Sequence, residues 1–518
     1  MKVQLIFTNF DCPVGPSIGV SYLSAALKQA GHETSLIHVS EWVSYPYNPN
    51  RILRDIKKYD PDLVAFSFAT NHAPEVKELW KVLKEGGLKA PILCGGIHTT
   101  LNTEEVMGDP HVDYANVGEG DDSIVDLANK LEKGEDTTNI PNVWARKDGK
   151  IIRNPARPLK NIAKLPFMDT EIWQFKKITE SRRGWVNVYM NRGCPYRCTY
   201  CHNNGVAKVL QDSYEAKTSG NKDLGYLRYR DPHDMIAELK HLMSKYTVNA
   251  FSFNDDCFTM HRDQMLEFLP LYKKEVGLPF VCNTTVLDVD PEILQLMGEA
   301  NCDLIRYGVE TSTDRIKRNV LKRIFSNERT EEIFAETRKA GVRSFAFLIL
   351  GNPGETFEEM HETLKFSAKI KPDGLKVSIG YPYPGTEYHD IAEEMGVIDH
   401  DYPHFHNFIR ESKLKWTPEE RVRLDKIRTV YWIWMNAYLN NGSSELYRDL
   451  ISQVEAMSMT DWKRPATEQK ILDMEELISS EMKKRKVTHW TIPYKDRPEI
   501  AILVKGDDFL SYEALDPH

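Results

Sequence analysis

The stretch Arg192–His202 reads RGCPYRCTYCH and carries three of the eight cysteines of the 518-residue chain. Cys194, Cys198 and Cys201 follow one another with the spacing CxxxCxxC. The remaining five are widely separated in sequence: Cys12, Cys94, Cys257, Cys282 and Cys302. So few cysteines are unlike a disulfide-stapled secreted domain, and isolated buried cysteines usually act as small apolar residues. Three thiols this close together therefore favour a metal site in a reducing compartment.

Two kinds of metal site compete for these thiols. A structural zinc ion takes four ligands, and the only nearby fourth ligand is His202. A cubane iron–sulfur cluster normally takes four thiolates, so three thiolates leave one iron with an open position. Cys257 as a distant fourth ligand would close the site and make it structural. An open iron beside an aromatic residue instead suits a cofactor that chelates it, which is a catalytic arrangement.

The spacing CxxxCx(aromatic)C resembles the signature of the radical S-adenosylmethionine (SAM) superfamily. The resemblance implies that Cys194, Cys198 and Cys201 hold a 4Fe–4S cluster, whose unique iron binds the amino and carboxylate groups of SAM. It also implies that Tyr200 lies near the adenine. Reduction of the cluster by an external donor of the flavodoxin or ferredoxin type would then release a 5′-deoxyadenosyl radical that abstracts hydrogen.

The residues around and after the cysteines alternate between short strands and helices. Their strands are β-branched and aromatic-rich, as expected of a buried parallel sheet. They are predicted at Trp185–Met190, Val248–Phe253, Phe280–Thr284, Leu304–Val309, Arg343–Leu350 and Leu375–Ile379. Helices are predicted at Asp231–Tyr246, Pro291–Ala300, Arg329–Ala340 and Phe357–Ile370. The pattern predicts a partial (β/α)6 TIM-type barrel of the kind that the superfamily uses, with the cysteine loop at the carboxyl ends of the strands.

Polar residues follow several of these strands at positions that match the superfamily. The resemblance implies that SAM contacts Asp255, Asn283 and Glu310 in addition to Tyr200. The segments GNPGET, from Gly351 to Thr356, and YPGT, from Tyr383 to Thr386, resemble recurring loops. Each feature alone is also explained by an ordinary turn or helix cap. Together, and in this order, they favour the barrel.

A separate α/β unit precedes the barrel. Its strands are predicted at Lys2–Thr8, Ser35–Val39, Asp62–Ser67, Ile92–Leu93 and Tyr114–Val117, with a helix at Ser21–Ala30. The alternation predicts a doubly wound, Rossmann-like parallel sheet, whose ligands bind beyond the carboxyl ends of the strands. No GxGxxG follows the first strand and no Walker sequence occurs, so nicotinamide and ATP have little support.

This unit resembles the cobalamin-binding domain that precedes the barrel in one large class of radical SAM enzymes. The matching pieces are Pro16–Leu27, Pro61–Ser67, Gly95–His98 and Val117–Gly120, in that order. Glycines at strand ends allow a bulky corrin to approach the backbone closely. The resemblance implies cobalamin contacts from these residues: Ser17, Ser67, Thr70, Gly95, Gly96, His98, Gly118, Glu119 and Gly120.

The axial-histidine sequence D-x-H-x-x-G of some cobalamin proteins is not matched. Asp109–Tyr114 begins that way but has Tyr where Gly is needed, and it lies late in the domain. We therefore expect His111 to be an ordinary loop residue and cobalamin to bind without a protein histidine ligand. His98 could face the corrin or cap the following helix, and the sequence slightly favours contact.

The predicted units are a cobalamin-binding domain (1–145), a linker (146–182), the barrel (183–404) and a mostly helical cap over the barrel mouth (405–518). The net charge of −9 and the lack of a basic domain disfavour nucleic acid and acidic membrane surfaces as partners. No apolar run approaches the roughly 20 residues of a membrane span. The N-terminal MKVQLIFTNF is typical of a first strand and not of a signal peptide. We expect a cytoplasmic protein.

The resemblance implies a cobalamin-dependent radical SAM methyltransferase that acts on an unactivated carbon of a small molecule. An oxidative cyclase or rearrangement enzyme, similar to the anaerobic porphyrin-ring cyclase, would use the same cofactors, and no residue separates the two. Methylthiotransferases need further cluster cysteines in the N-terminal domain, where only Cys12 and Cys94 occur. A non-catalytic cobalamin or redox sensor is disfavoured by the open three-cysteine site. The sequence does not indicate the substrate.

Overall fold

The structure is a computed structural model that describes residues 1–10, 15–163, 165–215, 225–402, 411–442, 444–493 and 500–504. Cys12 lies outside these ranges, and so does the end of the predicted C-terminal cap. Within them the chain forms two large sheets and one two-stranded ribbon. Among the described helices, none is long and apolar enough to cross a membrane.

The first domain is built on a seven-stranded sheet in the order β2-β1-β3-β4-β5-β6-β7. Its strands are β1 (Lys2–Thr8), β2 (Glu33–Val39), β3 (Leu63–Ser67), β4 (Ile92–Gly95), β5 (Tyr114–Asn116), β6 (Val143–Lys147) and β7 (Lys150–Ile152). The first five strands pair in parallel. This order confirms the predicted doubly wound sheet. It places the ligand crevice at the carboxyl ends of β1 and β3. From this point successive strands are added in opposite directions along the sheet.

Helices cover both faces of this sheet because successive side chains of a strand point to opposite sides. Leu5 belongs to the same apolar core as Leu27, whereas Ile6 belongs to a second core with Ile52 and Trp80. The helices are α1 (Ile18–Gln29), α2 (Pro49–Tyr59), α3 (Ala73–Glu85), α4 (Ile97–Leu101), α5 (Thr103–Gly108) and α6 (Ser123–Lys133).

The sheet of the first domain continues past the predicted boundary at residue 145. β6 and β7 form an antiparallel hairpin whose turn residues, Asp148 and Gly149, have φ values of 51° and 73°. Positive φ at both residues is what a two-residue type I′ turn requires. The segment predicted as a linker therefore contains β7 and also a short helix, α7 (Phe175–Ser181).

The second sheet forms the predicted partial barrel. It begins with β8 (Trp185–Val188), which is followed by the short paired strands β9 (Asn191–Arg192) and β10 (Arg228–Tyr229). The sheet continues in parallel order through β11 (Ala250–Phe253), β12 (Phe280–Thr284), β13 (Cys302–Glu310), β14 (Arg343–Leu350) and β15 (Gly374–Ile379). Parallel strands that share one chain direction bring their carboxyl ends, and the loops that follow, to the same edge.

Helices connect these strands and cover the outside of the barrel. They are α8 (His202–Glu215), α9 (Pro232–Lys245), α10 (Arg262–Glu275), α11 (Pro291–Glu299), α12 (Asn327–Lys339), α13 (Phe357–Ile370) and α14 (Glu387–Glu394). Asp231 caps α9 by accepting from the backbone N–H groups of His233 and Asp234. Three of these helices were not predicted: α8, α14 and α10, which contains Pro270. A π-helical turn at Ile316–Leu321 was not predicted either.

The C-terminal region is less purely helical than predicted. Its helices are α15 (Pro418–Tyr438), α16 (Ser444–Ala456), α17 (Met459–Trp462) and α18 (Pro465–Lys484), and two strands follow, β16 (His489–Thr491) and β17 (Ile500–Val504). β17 pairs antiparallel with β15 and β16 pairs with β17, so both strands extend the barrel sheet. The sequence signal for β17 was the apolar run IAILV, which has the length of a strand. All five of its residues are buried in the structure.

Candidate active site

The cysteine loop follows the first barrel strand at the carboxyl end of the sheet. Cys198 is buried, while Cys194 and Cys201 are partly exposed. Gly193 opens the loop with φ +90°, and a Cβ at this position would overlap the carbonyl oxygen of Tyr226. Only glycine satisfies both conditions, because a side chain disfavours positive φ and would also meet the backbone.

Backbone hydrogen bonds fix the middle of the cysteine loop to the far side of the barrel. The backbone N of Thr199 donates to the carbonyl oxygen of Leu321 (3.2 Å), and its hydroxyl donates to that of Val320 (2.5 Å). The carbonyl oxygen of Thr199 accepts from the backbone N of Tyr388 (3.1 Å). The loop is therefore held by the π-helical turn after β13 and by the start of α14.

A buried arginine contacts one of the thiols. Nη1 of Arg323 donates to Sγ of Cys198 (3.2 Å), and its Nη2 donates to the carbonyl oxygen of Gly308. The guanidinium also lies 4.7 Å from the ring centroid of Phe325. These contacts fix a permanent positive charge against Cys198.

Tyr200 and Glu310 form a second, partly buried contact beside the thiols. The Tyr200 hydroxyl donates to Oε1 of Glu310 (2.8 Å). Glu310 ends β13 with φ +64°, and the pairing with β14 shifts register between Gly308 and Glu310. Burial raises the pKa of Glu310, although Arg323 and the Tyr200 hydrogen bond oppose the rise. A strained backbone thus turns this carboxyl group toward the cysteine loop.

A cavity of about 420 Å³ separates the first domain from the cysteine loop. One wall is the carboxyl edge of the first sheet, with Ser67, Gly95, Gly96 and the loop 118–121. The opposite wall belongs to the barrel and includes Tyr189, Arg192, Gly193, His202, Asn203, Tyr226, Arg228 and Asp256. Gly193 and His202 directly flank the cysteine motif, so the cavity reaches residues beside both predicted cofactor sites.

Ion pairs join the two walls. Arg192 donates to both carboxylate oxygens of Asp121 (2.9 and 3.0 Å), and Arg228 donates to both oxygens of Glu119 (2.9 and 2.6 Å). Burial opposes ionisation of Asp121, but the Arg192 charge and hydrogen bonds hold its pKa below its usual value. Bidentate pairs fix orientation as well as distance. We call the contacts of Arg192 and Arg228 with Glu119 and Asp121 the interdomain clasp.

Two family profiles match the two halves of this arrangement. Residues 188–367 match the Radical SAM superfamily, and residues 13–128 match the B12 binding domain. The first match contains the cysteine loop and Glu310, and the second contains the glycine wall of the cavity. The chain belongs to the cobalamin-binding radical SAM enzymes.

The enzyme is similar over most of its length to several known proteins. An uncharacterized methyltransferase from Pyrococcus horikoshii is 26% identical over 403 residues, which cover 76% of this chain and 83% of that protein. The anaerobic magnesium-protoporphyrin IX monomethyl ester cyclase from Rubrivivax gelatinosus is 24% identical over 80% of this chain and 73% of that protein. The structure of the cobalamin-dependent SAM radical enzyme OxsB, with aqua-cobalamin and SAM bound, superimposes with a TM-score of 0.63. That match covers 94% of this chain and 75% of OxsB at 15% identity, and it shows a shared fold.

The cysteine loop of the enzyme fits a cluster in the chemistry of its donors. Burial, together with the negative charges of Asp256 and the neighbouring thiolates, raises the pKa of Cys194 and of Cys201 to about 12. Such thiols ionise when a metal supplies positive charge, because coordination deprotonates them. Within the described ranges, no three His, Cys, Asp or Glu side chains converge on a single metal ion. A cubane cluster does not need such convergence, because each thiolate binds a different iron.

The cavity fits cobalamin through its glycines. A Cβ at Gly118, which has φ +81°, would lie 2.6 Å from a side-chain carbon of Leu210, and a Cβ at Gly96 would lie 2.9 Å from the carbonyl oxygen of Phe68. Side chains at these positions would therefore narrow the cavity or displace its walls. Of the predicted cobalamin contacts, the structure places Ser67, Gly95, Gly96, Gly118, Glu119 and Gly120 on the cavity wall.

Three predicted cobalamin contacts, Ser17, Thr70 and His98, are not among the residues that line the cavity. Ser17 caps α1 by accepting from the backbone N of Val20. Nδ1 of His98 and Oγ1 of Thr70 are 3.3 Å apart, and the His98 ring packs 5.3 Å from that of Phe68. Burial lowers the pKa of His98 to about 4. His98 does not line the cavity, and its contact with the corrin remains a prediction.

The loop histidine and the distant cysteine are both engaged locally. Nδ1 of His111 lies 2.8 Å from Oδ1 of Asp109, which also accepts from the His111 backbone N. Sγ of Cys257 donates to Oδ2 of Asp288 (3.0 Å), and its side chain is buried. The structure thus directs the Cys257 thiol to a carboxylate.

The predicted SAM contacts Asp255 and Asn283 also have protein partners. Oδ1 of Asp255 accepts from the backbone N–H groups of Met190 (2.9 Å) and Asn191, and Oδ2 has no partner among the described residues. Burial raises the pKa of Asp255 to about 7. Asn283 donates to the backbone oxygen of Asp255 (3.3 Å) and accepts from Arg306 (3.4 Å). Their contacts with SAM remain a prediction, as do those of Tyr200 and Glu310.

Sequence reasoning missed the three arginines that organise the site. Arg192 and Arg228 hold the interdomain clasp, and Arg323 contacts Cys198. Arg192 was visible as the residue before the cysteine motif, but its partner lies 71 positions away in the chain. No local pattern identifies such partners.

Proposed function

We propose that this enzyme is a cobalamin-dependent C-methyltransferase that methylates an unactivated carbon of a small molecule. The observation that carries the proposal is the shared cavity, since the glycine wall and the residues that follow Cys201 line the same space. A methyl donor and a radical generator can act on one carbon only if both face one chamber.

The side chains of the enzyme position and enclose the reactants. The interdomain clasp fixes the first domain against the start of the barrel, so the two cofactor sites keep a constant separation. The Tyr200–Glu310 contact and Arg323 hold polar groups beside the cysteine loop, where Glu310 and Arg323 are buried and Tyr200 is partly buried. When bound, the cluster with SAM supplies hydrogen abstraction and cobalamin supplies the methyl group.

A polar patch on the barrel wall offers contacts for the substrate. His202, Asn203 and Asp256 line the cavity, and the Asn203 side chain hydrogen-bonds Asp256. These groups lie between the glycine wall and the cysteine loop, where the reacting carbon would sit. A small substrate and an external electron donor of the flavodoxin or ferredoxin type complete the proposal.

The similarity to the magnesium-protoporphyrin cyclase supports a second candidate, an oxidative cyclase that uses the same cofactors. Transfer of the methyl group of SAM to cobalamin distinguishes the candidates. The anaerobic protein, loaded with cluster and cobalamin and then reduced, is mixed with SAM that carries a deuterated methyl group. A methyltransferase yields labelled methylcobalamin in the extracted corrin. Unlabelled corrin, with both cofactors verified, would favour the cyclase.

A further inference from the structure

A second cavity, of about 370 Å³, lies between the end of the barrel sheet and the C-terminal helices. Its apolar floor includes Ile379 and Leu424, and two aromatic side chains, Tyr402 and Trp462, line it. The charged lining residues are Arg421, Arg428, Lys463, Glu411 and Asp425. The volume is within the range of small-molecule sites, roughly 300–1,000 Å³.

This cavity is on the same edge of the barrel as the cysteine loop. Ile379 is the last residue of β15, and Oγ of Ser412, another lining residue, donates to the carbonyl oxygen of Gly380 (3.3 Å). A Cβ on Gly380 would overlap the hydroxyl of Tyr388, whose backbone N donates to Thr199 in the cysteine loop. A short chain of contacts therefore links the cavity to the loop.

Most of the charged groups around the cavity are engaged by the protein. Arg421 donates to Oδ2 of Asp399 and to the carbonyl oxygen of Ser412, both at 3.0 Å. Asp425 accepts from Nε1 of Trp462 (2.7 Å), and Glu411 accepts from the hydroxyl of Tyr402 (2.7 Å). Both acidic groups therefore have donors of their own.

Arg428 is different because part of its guanidinium lacks partners. The residue is 6% exposed, and Nη2 donates to Asp425 (3.0 Å) and to Thr429 (2.9 Å). Nε and Nη1 have no hydrogen-bond partner among the described residues. A guanidinium stays charged at any accessible pH, and buried N–H groups in proteins are nearly always bonded. An acceptor at this position would complete the coordination of Arg428.

We propose that this second cavity is an anion-binding subsite, which holds a carboxylate or phosphate group of the substrate. Arg428 supplies N–H donors and Lys463 supplies a second positive charge, as anion recognition requires. The side chains of Trp462 and Tyr402 line the same space and would pack against the organic part of the ligand. Only the assignment of this anion to the substrate rests on the proposed methyltransferase function.

The test measures binding of inorganic phosphate, and separately of acetate, to the full-length protein without cofactors by isothermal titration calorimetry. We expect saturable binding of at least one anion. Arg428→Met should weaken it at least tenfold and Lys463→Gln at least threefold. Arg464→Gln is the matched control, because Arg464 is the exposed neighbour of Lys463 and does not line the cavity. It should bind like the unaltered protein.

Absence of saturable binding to the unaltered protein would overturn the proposal, as would equal binding by a folded Arg428→Met protein. If Arg428→Met fails to fold, Lys463→Gln decides, and unchanged affinity in that variant would contradict the subsite. If the unaltered protein does not bind phosphate or acetate but transfers methyl to cobalamin normally, only the proposed subsite is contradicted. Phosphate binding without methyl transfer removes only the proposed function.

Discussion

Nη1 of Arg323 lies 3.2 Å from Sγ of Cys198, so a fixed positive charge contacts one of the three thiols of the cysteine loop. A hydrogen bond from a cation to a cluster sulfur favours the reduced, more negative state of the cluster. Arg323 is therefore a positioning residue that should raise the reduction potential of the cluster.

Replacement of Arg323 should lower that potential. Arg323→Gln keeps N–H donors but removes the charge, and Arg323→Met removes both, so the fall should be larger in Arg323→Met. A loss of about 1.4 kcal/mol corresponds to about 59 mV in a one-electron couple. EPR-monitored redox titration of the reconstituted proteins measures the shift. Arg318→Gln, at an exposed position on the π-helical turn that precedes Arg323, is the control. Equal potentials in all four proteins at equal iron content would refute the role.

Cobalamin binding should depend on Gly118 and not on a comparable glycine elsewhere. Gly118 and Gly134 both have positive φ, +81° and +66°, so alanine costs either position about 1–2 kcal/mol of backbone strain. Only at Gly118 would the added Cβ meet a neighbour, the Leu210 side chain, on the cavity wall. Gly118→Ala should lose at least tenfold in bound cobalamin by absorbance, whereas Gly134→Ala should keep it. If both variants retained the same amount of cobalamin, the cavity would not be the corrin site.

His98 should not be a ligand of cobalt. Its ring packs against Phe68 and lies near Thr70, and the residue is absent from the cavity wall. The EPR spectrum of bound cob(II)alamin should therefore show no nitrogen coupling from the protein, and His98→Asn should leave spectrum and cobalamin content unchanged. Nitrogen splitting that disappears in His98→Asn would place the imidazole on the metal.

Glu355 should make the stability of the barrel depend on pH. Its Oε2 accepts from the backbone and side-chain N–H groups of Asn352 (2.9 and 3.0 Å), and burial raises its pKa to about 7. The folded pKa exceeds the unfolded value, so this contribution is present below about pH 4.5 and is lost as pH rises through about 7.

Glu355→Gln removes the titration but keeps an acceptor for Asn352. The variant should gain stability relative to the unaltered protein between pH 5 and pH 8, by up to about 3 kcal/mol in the free energy of unfolding. Urea titrations at both pH values measure this. Glu358→Gln, at an exposed position in the first turn of the helix that follows Glu355, should show no such change between the two pH values. A pH-independent difference for Glu355→Gln would mean that the carboxyl group titrates normally.

Much of the fold could be predicted because local patterns carry it. Lys2–Thr8, Phe280–Thr284, Arg343–Leu350 and Phe357–Ile370 have the bounds that their sequence patterns predicted. Each is a run with one clear period, and Thr356 and Glu359 form a capping box that marks the start of the last one. β17 was missed because it lies antiparallel between β15 and β16, outside the alternation of strands and helices that predicted the rest of the sheet.

The candidate site was predictable only in its sequence-local parts. The spacing of the cysteines and the glycines at strand ends are short motifs, and the structure brings Gly118 and His202 to one cavity. Arg323 reaches Cys198 across 125 positions, and Arg228 reaches Glu119 across 109. Such contacts depend on how the loops pack at the barrel edge. His98 shows the converse, since this motif position is not among the residues that line the cavity.

The most direct test of the account is the product pair formed from SAM by the anaerobic, cofactor-loaded and reduced enzyme. We predict both 5′-deoxyadenosine and S-adenosylhomocysteine. Cys198→Ala should abolish the deoxyadenosine, whereas Cys302→Ala, at a buried cysteine away from the loop, should form both. Deoxyadenosine without S-adenosylhomocysteine would contradict the methyltransferase, and neither product from protein with a verified cluster would contradict radical chemistry altogether.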